Sequence, residues 1–346
     1  MARIDVIVPC YQYGHYLRDC VGSVLTQEVD LRVLIIDNAS TDNSLEVANE
    51  LAAQDPRVEI LSRKKNLGRH ASYNDGIDWV SADYFALVDA DDLLAPGCLK
   101  RAASVMEQHP DLSFTYGLEL RMSFPPGVVP VAQDRGPTAW EITNGIDFIQ
   151  LLCRNALCHV GPTSVIRRTS AQRKIGYHRP ALRYTDDLEI FLRLATVGNV
   201  AYTSSTQSIR RMHDSQLSGY YHGFPARDFA ERQAAFDSFF SHEGSQIADA
   251  ERLHRRAIQR LSDQAYWSGL SYLCRRKPRI GWELLKYAWA RRPLSFLIPP
   301  VSHFFIMDRP LTRLTEVVVE GVTGQPYGRF AHPPVMPDAK AKHVKP

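Results

Sequence analysis

Short apolar runs alternate with segments whose apolar residues recur every three or four positions through the first 116 residues. Runs of that length bounded by turn residues suit buried strands, and the longer spacing suits amphipathic helices, so the alternation predicts a parallel sheet wrapped by helices. Five strands are read at Asp5–Val8, Val33–Asp37, Val58–Leu61, Tyr84–Val88 and Leu112–Tyr116. The helices between them are Tyr16–Gln27, Ser44–Gln54, Ala71–Val80 and Gly97–His109, with Ser40 and Thr41 as candidate caps of the second. Trp140–Arg154 and Asp187–Val197 also read as helical, and Val160–Arg167 and Val200–Met212 as extended. Pro- and Gly-rich text from Ser123 to Pro137 reads as a loop between two halves of one domain. Past residue 225 the spacing is helical, clearest at Ala250–Cys274 and Ile280–Arg291, and Ala331–Pro346 has a disordered composition. The expected organisation is an α/β domain over 1–225, a basic helical extension over 226–330 and a disordered tail over 331–346.

In open parallel sheets ligands bind outside the carboxyl ends of the strands. Three of those ends are polar here: Pro9-Cys10-Tyr11, Asp37-Asn38, and the stretch FALVDADDLLAP, where an apolar run stops at Asp89, Asp91 and Asp92. Carboxylates this close raise one another's pKa unless a cation sits between them, and hard oxygen ligands suit Mg2+ or Mn2+. A lone D-x-D is common on solvated loops, but the convergence of three polar ends on one crevice favours a site. The sheet lacks G-x-G-x-x-G after its first strand and the chain has no P-loop pattern, so phosphate must be held in another way, with the metal as the candidate.

Composition sharpens this picture in a few places. At 346 residues, 45% of them hydrophobic, the chain exceeds one typical domain and suits a main domain with an appendage. Its net charge of +3 is unevenly placed: from Glu251 onward there are seventeen Lys and Arg against seven Asp and Glu. Six cysteines without a C-x-x-C pair suit free thiols in a reducing compartment, and the strand pattern opening at once leaves no room for a leader, so a cytoplasmic location at the inner face of the membrane is expected. Leu294–Met307 is too short to span a bilayer. The segment RRKPRIGWELLKYAWARRPLSFLIPP mixes Trp282, Tyr287 and Trp289 with Arg275, Arg276, Lys277, Arg279, Arg291 and Arg292, which suits an anionic membrane surface or, alternatively, a helical hairpin packed on the core. No nucleic-acid-binding motif accompanies these charges, so nucleic acid is not an expected partner.

Taken in order, VIVPCYQYGHYLRDCVGSVLTQ, LIIDNASTDNS, NLGRHASYNDGI, DADD, GPTSVIRR, TDDLEIFLRL and RRMHDSQLS resemble the motifs of family-2 glycosyltransferases, inverting enzymes of the GT-A fold that use nucleotide sugars. The likeness covers roughly residues 3 to 218, and its specificity lies in the whole set in order. It implies a GT-A sheet, mostly parallel and flanked by helices, in a protein of the bacterial cell-surface polysaccharide type. It further implies that Pro9 and Tyr11 border the nucleotide base, that Asp37 bonds the polar edge of the base, and that Arg69 lies near the base or phosphates. Asp89 would face the ribose or a metal-bound water, Asp91 would coordinate the metal, and Asp92 would hold the loop. Asp187 would be the general base with Asp186 as the other candidate, and Arg211 and His213 would lie close to the diphosphate or metal. The partners that the resemblance implies are a nucleotide-sugar donor, with UDP as its nucleotide, and a saccharide or lipid-linked acceptor.

The chemistry asks for these residue types independently. Expelling a nucleoside diphosphate calls for cations at the leaving group, and a hydroxyl nucleophile at neutral pH calls for a carboxylate to take its proton. Three departures from the family pattern stand out: Asp37-Asn38-Ala39-Ser40 replaces the usual Asp-Asp-Gly-Ser, Asp186-Asp187 replaces Glu-Asp, and Gln12 replaces Asn. The rival readings are a nucleotidyltransferase, for which PCYQYGHY lacks the Gly-rich basic loop, and an inactive sugar-binding protein, against which Asp89, Asp91 and Asp187 argue.

Overall fold

The computed structural model describes residues 3–130, 139–213, 224–306 and 310–324. Strands β1 (Ile4–Cys10), β2 (Leu31–Asp37), β3 (Val58–Ser62) and β4 (Tyr84–Leu87) pair in parallel in the order β3-β2-β1-β4. Helices α1 (Gly14–Leu25), α2 (Ser44–Gln54) and α3 (Arg69–Trp79) connect them. β1 is buried along nearly its whole length, which is why its text is an apolar run rather than an alternation.

Beyond β4 the sheet becomes mixed. The short β5 (Leu93–Leu94) and α4 (Cys98–Gln108) lead to β6 (Leu112–Met122), which runs well past the expected end at Tyr116. β7 (Glu141–Thr143), α5 (Gly145–Asn155), β8 (Ile166–Arg168), α6 (Thr169–Ile175), α7 (Asp186–Thr196) and β9 (Asn199–Arg211) follow. β8 lies antiparallel between β4 and β6, β9 pairs parallel with β6, and β5 and β7 add antiparallel to β9.

Two local expectations are corrected. The helix expected from Trp140 begins only at Gly145, because Glu141-Ile142-Thr143 pairs with β9 and the Asn144 side chain then caps the helix by accepting from Ile146 N at 2.9 Å. Ser40 and Thr41 do not cap α2. Their hydroxyls accept from the backbone N and the side chain of Gln12 instead, while Asp42 Oδ1 receives Ser44 N at the helix start.

The remaining helices are α8 (Pro225–Ser241), α9 (Ala250–Cys274), α10 (Pro278–Arg291), α11 (Val301–Ile306) and α12 (Pro310–Thr323). One apolar cluster joins β1, β2, α1 and α4, through Val6, Leu17, Val33 and Leu99 among others. A second runs from Phe114, Phe148 and Phe191 directly into Phe236, Phe239, Leu261 and Ala288, so α8–α10 share a core with the sheet. The expected disordered tail and residues 131–137 of the expected loop lie outside the described residues.

Candidate active site

Parallel pairing aligns the carboxyl ends of β1, β2 and β4 on one edge, with Cys10 opposite Asp37 and Ile7 opposite Leu87. The edge opens into a cleft of about 1730 Å3 whose wall includes Pro9, Tyr11, Arg69, Asp89, Asp91 and Asp187. Two residues behind this edge depart from ordinary backbone geometry. Gln12 and Ala39 both have φ of 63°, the left-handed region, and they stand where the family pattern has Asn and Gly, the residues that enter it most readily.

The acid tip divides into three roles. Asp92 is turned inward, accepting from the Thr163 hydroxyl at 2.9 Å and from Arg211 N at 3.1 Å, and so ties the tip to β9 and to the turn before β8. Asp91 accepts from His213 Nε2 at 3.0 Å, and Asp89 accepts from the Tyr73 hydroxyl at 3.4 Å. Oxygens of all three lie within 4.8 Å of one another. Burial, followed by the repulsion of Asp91, raises the pKa of both Asp89 and Asp92. Crowded, desolvated hard oxygens of this kind fit a divalent cation.

Across the cleft, the first turn of α7 carries two neighbouring acids whose pKa values are shifted in opposite directions. Asp186 is 2% exposed and accepts from His178 Nδ1 at 2.7 Å while pairing with Arg69, with His70 Nε2 at 3.5 Å. Burial would raise its pKa, but the His178 hydrogen bond and the nearby His70 and Arg69 outweigh it and hold the carboxyl well below the usual range. Arg167 donates to His178 Nε2 at 3.2 Å, so that nitrogen is bare and the proton sits on Nδ1, facing Asp186. Asp187 lines the cleft, and burial together with the charge of Asp186 pushes it up to about 6.

The other expected site residues divide between the cleft and the interior behind it. Arg211 is fully buried away from the cleft wall: it pairs with Asp19 at 2.8 Å, donates to the Phe124 and Pro125 carbonyls, and packs on the Phe124 ring. Arg210 lines the cleft in its place. Asp37 is buried beside the wall, with Oδ2 accepting from Ser40 N at 3.3 Å and Oδ1 without a hydrogen-bond partner among the described residues. Arg69 reaches the cleft, but its guanidinium is committed to Asp186. His213 meets Asp91, whereas the rest of the RRMHDSQLS motif after it lies outside the described residues.

Sequence reasoning missed Tyr73, His178, Arg210 and Glu119. Glu119 lines the cleft with a side chain 7% exposed and Oε2 unpartnered among the described residues. Gly161 faces it, and a Cβ at that position would collide with the carboxylate. Tyr73 follows Arg69 by one helical turn and was within reach of a spacing argument; nothing local marks His178, eight residues from its partner.

Residues 5–173 match the family model described as glycosyl transferase family 2. An uncharacterized glycosyltransferase of Haemophilus influenzae is 25% identical over 228 residues, covering 63% of this chain and 68% of its own. Other curated relatives are spanned over as little as 10% of their length. Among solved structures, S. aureus TarS 1–349 in complex with UDP-GlcNAc matches with a TM-score of 0.51 at 15% identity, covering 94% of this chain and 93% of that one. A mannosyltransferase from Pyrobaculum calidifontis in complex with GDP-Man and Mn2+ matches with a TM-score of 0.55 at 14% identity, covering 93% and 88%. At these identities the structures speak for the fold, and the motifs speak for the family. Residues 5–173, just under half of the chain, form a domain of the glycosyl transferase family 2 type, and the sheet has the GT-A fold.

Proposed function

We propose that the protein transfers a sugar from a UDP-linked donor to a hydroxyl of a saccharide or lipid-linked acceptor, inverting the anomeric carbon. The observation that carries this reading is the pairing, across one cleft, of the acid tip with Asp187, whose neighbour Asp186 is already engaged by His178 and Arg69. The donor reading draws support from the two GT-A neighbours, one in complex with UDP-GlcNAc and one with GDP-Man and Mn2+.

In this reading Pro9 and Tyr11 border the base, and the unpartnered oxygen of Asp37 accepts from its polar edge. Asp91, with Asp89 and His213, would hold Mg2+ or Mn2+, which when bound neutralises charge on the leaving diphosphate. Arg210, on the cleft wall, adds the side-chain cation that Arg211 cannot supply from its buried site. Asp187 takes the acceptor proton as the new bond forms, and Asp186, held ionised by His178 and Arg69, orients that turn of α7. A single carboxylate on the acceptor side suits direct displacement, and therefore inversion.

Calorimetric titration with UDP tests the donor half. Binding is expected to strengthen with Mn2+ and to lose that dependence in Asp91→Ala; metal-independent binding untouched by the substitution sinks the assignment. Asp187→Asn is expected to retain UDP binding while abolishing transfer.

A further inference from the structure

The last described helices invert the usual placing of apolar and charged positions. Leu311, Leu314, Val318 and Val322 recur at spacings of three, four and four on α12, a single stripe of the helix, and each is at least half exposed. The acids of the same helix face the protein: Glu316 is 7% exposed, and Glu320 pairs with Arg275 at the end of α9. Gly321 holds that inward side in close packing, since a Cβ there would collide with the Cys274 carbonyl. A helix facing water shows the opposite arrangement.

The stretch before α11 continues the pattern. Leu294, Phe296, Leu297 and Ile298 are each about two-thirds exposed or more. Trp282, Trp289 and Phe296 form a ladder of edge-on rings with centroids 5.9 and 5.3 Å apart. Meanwhile the other face of α10 is already occupied, with Leu284, Leu285, Tyr287 and Ala288 in the core and Arg292 paired with Asp263. The packed face fits the helical-hairpin alternative for this segment and leaves the outer face without a core partner.

Charge says what covers the outer face. Among the described residues from 275 to 324, the exposed charged side chains are Arg276, Lys277, Arg279, Lys286 and Arg313 against Glu283 alone. A second copy would bring the same basic rim against itself, whereas a surface of anionic phosphates complements it. No described helix is long and apolar enough to cross a membrane, so any lipid contact lies in the plane.

We infer that residues 294–301 and the outer stripe of α12 rest on an anionic lipid surface, with the apolar side chains at the headgroup boundary and the basic ones against lipid phosphates. This surface rests on no part of the sugar-transfer reading, and its test needs no turnover.

The test is co-sedimentation of the full chain with vesicles of phosphatidylcholine alone or mixed with phosphatidylglycerol, alongside the double variant Leu314→Glu/Val318→Glu. Both positions are exposed, so the variant keeps its fold, checked by circular dichroism. Binding to the mixed vesicles is expected to exceed binding to the neutral ones by more than about tenfold, to weaken with salt, and to vanish in the double variant. Equal binding to both vesicles, no binding, or retention of binding by the double variant overturns the proposal. So does a lipid-free dimer that the double variant splits, which would assign the face to a second copy.

Discussion

Asp186 and Asp187 are adjacent acids in one helical turn, yet one is held ionised and the other is raised towards neutrality. The difference is made by partners: His178, His70 and Arg69 surround Asp186, whereas Asp187 is half-buried beside its neighbour's charge and accepts from Leu188 N. Because burial and Asp186 push Asp187 up to about 6, its base form grows as pH rises through that value. Transfer should therefore rise along an acid limb near pH 6 in kcat/KM and level off above it. Asp186→Asn removes the like charge and should move that limb to lower pH; a rate flat through this range would remove Asp187 from the base role. The acidic pair itself was legible in TDDLEIFLRL, but its division was not, because the deciding partners come from α3 and from the segments around β8.

At the scale of the element, β9 shows how strand parity sorts two identical neighbours. Successive side chains of a strand point to opposite faces, so of Arg210 and Arg211 only one can meet the cleft. Pairing with β6, in which Arg121 lies opposite Arg210 after register shifts between Gly117 and Leu118 and between Leu118 and Glu119, goes with Arg210 at the cleft and Arg211 in the interior. Arg211→Ala leaves Asp19 and the carbonyls it served without their cation and should cost about 3–5 kcal/mol in urea unfolding. Arg210→Ala should unfold like the parent but lose roughly a hundredfold in transfer rate. The reverse ranking would overturn the parity argument. Sequence reasoning points to Arg211 and passes over Arg210, because alternation alone has no origin; only the bulged pairing sets one.

At the scale of the whole molecule, the helices after residue 224 complete the core, with Phe236, Phe239, Leu261 and Ala288 packed in one cluster with Phe148 and Phe191. A chain ended after residue 224 would expose that cluster to water, and it should aggregate or melt without cooperativity. Thermal unfolding of the shortened chain checks this, and a cooperative melt matching the full chain would show the first part to be independent.

The sequence by itself determined the alternation of strands and helices, the three polar strand ends and the family, because hydrophobic period and motif order are local properties of a chain. Which of two adjacent residues meets the cleft, which acid titrates higher, and which face of a helix is left to the outside were settled by contacts between elements far apart in the chain. Such contacts depend on register and burial, and neither is written at any one position.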